Sequence, residues 1–201
     1  MLEIGNVPHP RNGEVVPQTV NDRKQNAASQ RTSGLDFQGD YRMSLFAGDL
    51  DWHLLGNYVD ENTRTAVGKT LDGAGAAGLD DNFTAGPKLH MTLTATYTQG
   101  PWSGTMQGRF VGEEVLNNAW TSGVQVDKNS VPAIGYLDLR GSYKWDDHIQ
   151  LYAALDNAFN TSPPNIAYSA ANVTTLTGQG YNCQYYDCIG RSYRLGVRFS
   201  F

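Results

Sequence analysis

The chain has 201 residues, 22 of them glycine, with 11% aromatic and 40% hydrophobic side chains, which is enough for one domain but not the composition of a helical membrane protein. No apolar run approaches the about 20 residues a bilayer-spanning helix needs. A net charge of −5 lacks the basic excess of a polyanion binder and excludes nucleic acid as the expected partner, while 17% charged residues, low beside the roughly 25% of soluble domains, suits a β-rich chain with its many Gly, Tyr, Thr and Asn.

In chain order, Met1 to Gly5 carry no basic or apolar export signal, so the chain as written holds no export address. Residues 1–29 read as an extracellular loop or partial strand, with a doubtful strand at Val15 to Val20. Period-two alternation then begins. Leu35, Phe37, Gly39, Tyr41 and Met43 face away from Asp36, Gln38, Asp40 and Arg42, and Leu50, Trp52, Leu54, Gly56 and Tyr58 away from Asp51, His53 and Asn57. Leu89 to Tyr97 alternates with His90 and a series of threonines, and Trp102, Gly104, Met106, Gly108 and Phe110 with Ser103, Thr105, Gln107 and Arg109. Leu137, Leu139, Gly141, Tyr143 and Trp145 oppose Asp138, Arg140, Ser142 and Lys144; Ile149, Leu151, Ala153, Leu155 and Phe159 oppose His148, Gln150 and Asp156. The last strand alternates to the final residue, with Tyr193, Leu195, Val197, Phe199 and Phe201 on one side and Ser192, Arg194, Gly196, Arg198 and Ser200 on the other.

The connections alternate short and long: Ser44 to Asp49, Glu61 to Lys88, Gln99 to Pro101, Gly112 to Pro132, Asp146 with Asp147, and Asn160 to Gly190. One end of the sheet is therefore tight and the other elaborated. Strands of about ten residues with an apolar band, aromatic tips, short periplasmic turns and long outer loops describe an all-β, antiparallel transmembrane β-barrel segment in a bacterial outer membrane. The alternative is a soluble β-sandwich, whose strands are shorter at about five or six residues. Seven strands leave an open edge, which costs several kcal/mol per unpaired backbone group in hydrocarbon, on the order of 2–7. Either the Val15 region closes a small barrel, or the chain is part of a larger one.

Four stretches, Thr32 to Phe37 (TSGLDF), Tyr136 to Arg140 (YLDLR), Leu155 to Asn160 (LDNAFN) and Gly190 to Phe201 (GRSYRLGVRFSF), resemble the C-terminal part of the barrel of TonB-dependent outer-membrane receptors. The resemblance assigns residues 30–201 to that barrel segment. It implies energised uptake of a nutrient such as a ferric siderophore, cobalamin or oligosaccharide, with TonB and a plug domain as partners in a full-length parent of about 22 strands. No plug sequence precedes these strands, so the chain is expected to be a fragment. The resemblance also implies that Tyr193, Leu195, Val197, Phe199 and Phe201 form the signal read by the barrel-assembly machinery, on the same face that meets outer-membrane lipid. The competing reading is an independent small barrel serving as a passive pore, adhesin or structural protein.

Other signals are weaker. Gly73 to Gly78 matches G-x-G-x-x-G, but a strand rather than a helix follows and no acid stands about 20 residues on, so the glycines read as a flexible loop tip and no cofactor is expected. Gly68-Lys69-Thr70 has Thr63 where a phosphate loop needs its first glycine. His9, His53, His90 and His148 are scattered, no catalytic constellation stands out, and neither an enzyme nor a metal site is expected. Cys183 and Cys188 are too few for structural zinc; a local disulfide or two free thiols are the readings. Around them Tyr181, Tyr185 and Tyr186 form a candidate ligand loop, since aromatics present area at low entropic cost. Arg109, Arg140, Arg194 and Arg198 with Asp138 and Asp156 are expected to form cross-strand ion pairs on the polar face, the competing reading being contact with a plug or an anionic substrate.

Overall fold

In the computed structural model, residues 4–8, 15–20, 28–66, 69–77, 85–164 and 183–201 are described. They form ten strands: β1 (Ile4–Pro8), β2 (Val15–Val20), β3 (Ala28–Leu45), β4 (Gly48–Ala66), β5 (Lys69–Asp72), β6 (Leu89–Gln99), β7 (Trp102–Val111), β8 (Ile134–Lys144), β9 (Ile149–Asp156) and β10 (Ser192–Phe199). The main sheet is an antiparallel meander in the order β10-β9-β8-β7-β6-β4-β3, with β5 paired to β4 as its eighth strand. It does not close, and β3 and β10 each have one free edge among the described strands. The expected antiparallel barrel segment is therefore what the chain forms.

Register makes the two faces continuous. One cross-strand row runs Tyr41, Trp52, Ala95, Met106, Leu139, Leu155, Tyr193, and the next runs Met43, Leu50, Tyr97, Gly104, Gly141, Ala153, Leu195. The row facing the other way runs Arg42, Asp51, Thr96, Thr105, Arg140, Ala154, Arg194. A slip of one residue in any strand would exchange its faces, so the alternation fixes the register. Nothing among the described residues covers the apolar face; Leu195 is 83% exposed and Leu35 69%. Each such large side chain gains about 1.5–3 kcal/mol when removed from water, so the face is built for an apolar surrounding. At its short-turn end Trp102 and Tyr143 pack tilted with ring centroids 4.3 Å apart, and Tyr143 meets Trp145 edge-on at 6.2 Å; amphipathic rings gather in this way at a membrane interface.

Two glycines allow a neighbouring ring to lie flat on the sheet. A Cβ on Gly56 would sit 2.1 Å from the Phe37 ring, and one on Gly196 would sit 2.3 Å from the Tyr152 ring. The first pair is on the apolar face and the second on the polar one.

Three features differ from the sequence expectation. Val15–Val20 is a strand, but it pairs with Ile4–Pro8 in a separate two-stranded sheet rather than closing the main one. The β3–β4 hairpin runs far past its apolar section, so Glu61 to Ala66 are strand rather than loop. Its polar extension lacks an apolar face and so has no period-two signal; backbone pairing from Ala28 with Ala66 to Ser33 with Glu61 holds it. Where the polar and apolar sections join, the register steps from Ser33 with Glu61 to Gly34 with Val59, leaving Asp60 as a bulge. Gly34 is needed there, because a Cβ would fall 2.2 Å from the Tyr58 carbonyl oxygen.

The third difference is the position of the core. Ala77, Val111, Leu116, Val131 and Tyr186 form the buried cluster, with Trp120, Val126, Ile134 and Tyr185 against it. It lies at the long-loop end, where segments 73–77, 112–133 and 183–191 interlock. The Ala77 amide donates to the Val115 carbonyl and the Val115 amide to the Gly75 carbonyl, both at 2.8 Å. Gly73 to Ala77 is thus packed rather than a flexible tip: Ala74 and Ala77 are each 1% exposed, and only small residues permit this approach. Gly78 lies outside the described residues.

Candidate binding surface at the loop end of the sheet

Arg109 on β7 organises the polar face where it meets the loops. Its Nε donates to Asp138 Oδ2 at 2.7 Å and its Nη2 to Asp138 Oδ1 at 3.1 Å, a bidentate grip from β7 to β8. The same Nη2 reaches Asp187 Oδ2 at 3.4 Å on the loop before β10. The guanidinium carbon stands 5.0 Å over the Tyr136 ring, within the range of a cation–π contact. Asp187 completes the circuit, its amide donating to the Tyr136 hydroxyl at 3.2 Å while its Oδ1 accepts from the Ile189 and Gly190 amides at 3.0 and 3.1 Å.

Asp138 is buried and needs these partners, because an uncompensated buried carboxylate is costly. Besides Arg109, it accepts the Asn157 amide at 2.8 Å. Asn157, fully buried at φ 50°, and Asn160, at φ 54°, turn the chain at the end of β9. Asparagine tolerates this left-handed backbone better than other non-glycine residues. Asn157 Oδ1 accepts the Thr161 amide at 2.8 Å, and Asn160 Oδ1 accepts the Arg191 amide at 3.0 Å. Three of the four stretches that carry the family resemblance therefore converge here: YLDLR supplies Tyr136 and Asp138, LDNAFN supplies Asn157 and Asn160, and the start of GRSYRLGVRFSF supplies Arg191.

The expected ion pairs form in part. Arg194 holds Asp156 closely and Arg140 stands 3.9 Å from it. Arg198 instead donates to Gln150 Oε1 at 3.4 Å. A hollow of about 400 Å³ lies between Arg109, Arg140, Arg194, Asp138, Asp156 and Asp187, open to the polar side of the sheet and able to exchange ion-pair partners with a polar ligand.

Cys183 and Cys188 are joined by a disulfide with Cα atoms 5.5 Å apart. Tyr185 donates from its hydroxyl to the Ala85 carbonyl at 3.0 Å. Tyr186 points inward, buried in the loop core with its hydroxyl on Glu114 Oε2, so it offers no exposed ring. Tyr181 lies outside the described residues. Burial pushes the Glu114 carboxyl above the usual carboxylate range, and the Tyr186 hydrogen bond only partly opposes this. Burial first, and then the Glu114 hydrogen bond, also raise the Tyr186 phenol. Among the described residues Glu114 Oε1 is buried with no hydrogen-bond partner, which disfavours the charged form. Sequence reasoning missed Tyr136, Asp187 and Glu114, whose partners are remote in the chain.

The remaining candidates do not assemble. His53 pairs with Asp40 at 2.6 Å, while His90 stands on β6 away from it. His148 sits at the β8–β9 turn, its amide donating to Asp146 Oδ1 at 2.7 Å, and His9 lies outside the described residues. Among the described residues no group of three or more His, Cys, Asp or Glu is placed to hold a metal ion. Lys69 and Thr70 open strand β5 rather than a helix. Tyr193, Leu195, Val197 and Phe199 share the apolar face in register with Leu155, Ala153, Leu151 and Ile149 of β9, and Phe201 follows the strand.

No curated protein matches the chain. One solved structure, described as "Copper transporter OprC", is similar at 19% identity with a TM-score of 0.39, covering 89% of this chain and 29% of that one, so the chain spans less than a third of that protein. A family model described as "TonB dependent receptor-like, beta-barrel" matches residues 4–158. The open meander with its apolar and polar faces is thus a segment of a β-barrel, and the chain belongs to the TonB-dependent receptor β-barrel family.

Proposed function

We propose that this chain is the C-terminal wall, residues 30–201, of an outer-membrane receptor that imports a small nutrient when energised through TonB, with a plug domain supplied by a full-length parent. The observation that carries this reading is the unclosed sheet with one unbroken apolar face and one charged face. Such a wall requires further strands to satisfy the edges of β3 and β10 in hydrocarbon. In this reading lipid meets the apolar face, and the barrel-assembly machinery takes up the comb of Tyr193, Leu195, Val197, Phe199 and Phe201. The Cys183–Cys188 loop, tied by Asp187 to Arg109, holds the rim in one position while ligand enters from outside.

The nutrient class is set by loops and plug. Ferric siderophores, cobalamin and oligosaccharides are the candidates. The test is deletion of the gene carrying this chain, followed by growth on each nutrient as the limiting source. Loss of growth on one, restored by the intact gene but not by a variant lacking residues 183–201, supports the reading. Unchanged growth on all, with the protein absent from outer-membrane fractions, would overturn it.

A further inference from the structure

Charge is distributed unevenly over the polar face. On the lower β3–β4 hairpin the acids Asp36, Asp40, Asp49 and Asp51 each have a side-chain partner: Asn57 at 2.5 Å, His53 at 2.6 Å, Ser44 at 3.1 Å and Arg42. Strands β7 to β10 carry the opposite sign. There Arg109 is held by Asp138 and Asp187, Arg194 by Asp156, and Lys144 by Asp147 at 2.8 Å. Two cations remain with little engagement among the described residues. Arg140 is 3.9 Å from an Asp156 that Arg194 already holds, and Arg198 has the single amide contact to Gln150.

Both arginines line the same hollow of about 270 Å³ on the polar face, and Arg140 also lines the neighbouring acid-bordered hollow. Its other polar walls are Ser103, Thr105, Ser142 and Gln150, and among the described residues no acidic side chain borders it. Tyr152 lies flat over Gly196 between Arg194 and Arg198 on the strand, a posture that any Cβ at position 196 would obstruct. The ring therefore lines the floor instead of filling the space. Guanidinium forks match carboxylates in geometry and charge, and hydroxyls supply further donors.

We propose that this hollow is an anion site that takes a group bearing two or more carboxylates, gripped by Arg140 and Arg198 and hydrogen-bonded by Ser103, Thr105 and Ser142. Such carboxylates could come from a small polycarboxylate solute or from acidic side chains of a protein segment lying against the wall. The inference rests on the polar face alone and goes beyond the uptake reading. Binding to the chain and energised uptake by a parent are separate measurements, so either can fail without the other.

The test uses the full 201-residue chain refolded in detergent micelles, with β-sheet content checked by circular dichroism and binding measured by calorimetry. One arm titrates citrate and the other a peptide of consecutive glutamates. Binding of either supports the site, and the arm that binds identifies the source. Arg140→Gln and Arg198→Gln should each weaken that binding by about tenfold or more, the effect of losing a charge-assisted hydrogen bond, and added salt should weaken it further. Arg42→Gln, on the acidic hairpin, should bind as the wild type does. No binding in either arm, or equal binding by folded Arg140→Gln and Arg198→Gln variants, would overturn the proposal.

Discussion

Asp187 reaches Arg109 at 3.4 Å although 78 positions separate them in the chain. This contact ties a disulfide-closed loop to the wall of the sheet, and it is mounted on a second ion pair, Arg109 with Asp138, that is more deeply buried. The two bonds differ in consequence. Asp187→Asn should release the loop while leaving the wall intact, seen as faster proteolysis or amide exchange in 183–191 with little change in strand protection. Arg109→Ala should cost about 3–5 kcal/mol, because it strands the buried Asp138 carboxylate. Chemical denaturation in micelles would separate the two outcomes.

The loop core should respond to pH through Glu114. Its carboxyl is raised above its ordinary value by burial, so the folded loops hold the proton more tightly than the unfolded chain does. Folded loops then bind more protons than unfolded ones between the ordinary carboxylate range and the raised value, and stability falls as pH rises through that window. Below it the contribution is complete. Glu114→Gln should remove the slope and keep the loops as protected at neutral pH as the wild type is in acid. Hydrogen exchange of 112–133 across pH would read this directly, and a slope persisting in the variant would refute the assignment.

Glycine substitutions should divide sharply by position. Gly104 and Gly141 face open space, with nothing within 4 Å of an added Cβ, whereas Gly196 would strike the Tyr152 ring. Gly196→Ala should therefore destabilise by about 1–3 kcal/mol, the usual cost of overpacking. Gly104→Ala and Gly141→Ala should be close to neutral, and combining Gly196→Ala with Tyr152→Ala should recover much of the loss. Thermal unfolding of the four variants is the measurement.

The terminal comb offers a test in cells. Replacing Phe199 and Phe201 by Ser removes two of the five aromatic or apolar groups proposed for recognition. The expected result is a lower yield in the outer membrane and accumulation in the periplasm, with the folded fraction unchanged in purified lipid. Equal yields in cells would remove the recognition role and leave only the lipid-facing one.

The sequence made the wall legible because each long strand of the sheet has one apolar face and one polar one, which imposes period two on Leu35 to Met43 as firmly as on Tyr193 to Phe201. That signal disappears where both faces are wet, and so Asn62 and Thr63 looked like loop although they pair with Thr32 and Arg31 in a regular hairpin. Strand β2 was visible, but its partner was not, since a short strand does not specify which edge it joins. The loop core was opaque for a different reason. Ala77, Val131 and Tyr186 are brought together by crossings of long connections, and no local period encodes such a meeting. For the site, Asp138 and the arginines could be read from alternation, while Asp187 and Glu114 depend on contacts far along the chain.

The interior of this protein lies at its rim, and its broad wall has no interior of its own. Two parts of one chain thus answer to different solvents. Lengthening or shortening the acyl chains around the wall should shift the melting of β3 to β10, whereas reducing the Cys183–Cys188 disulfide should shift only the loops. A single melting temperature would then describe neither part, and calorimetry in bilayers of graded thickness should resolve two transitions that move independently.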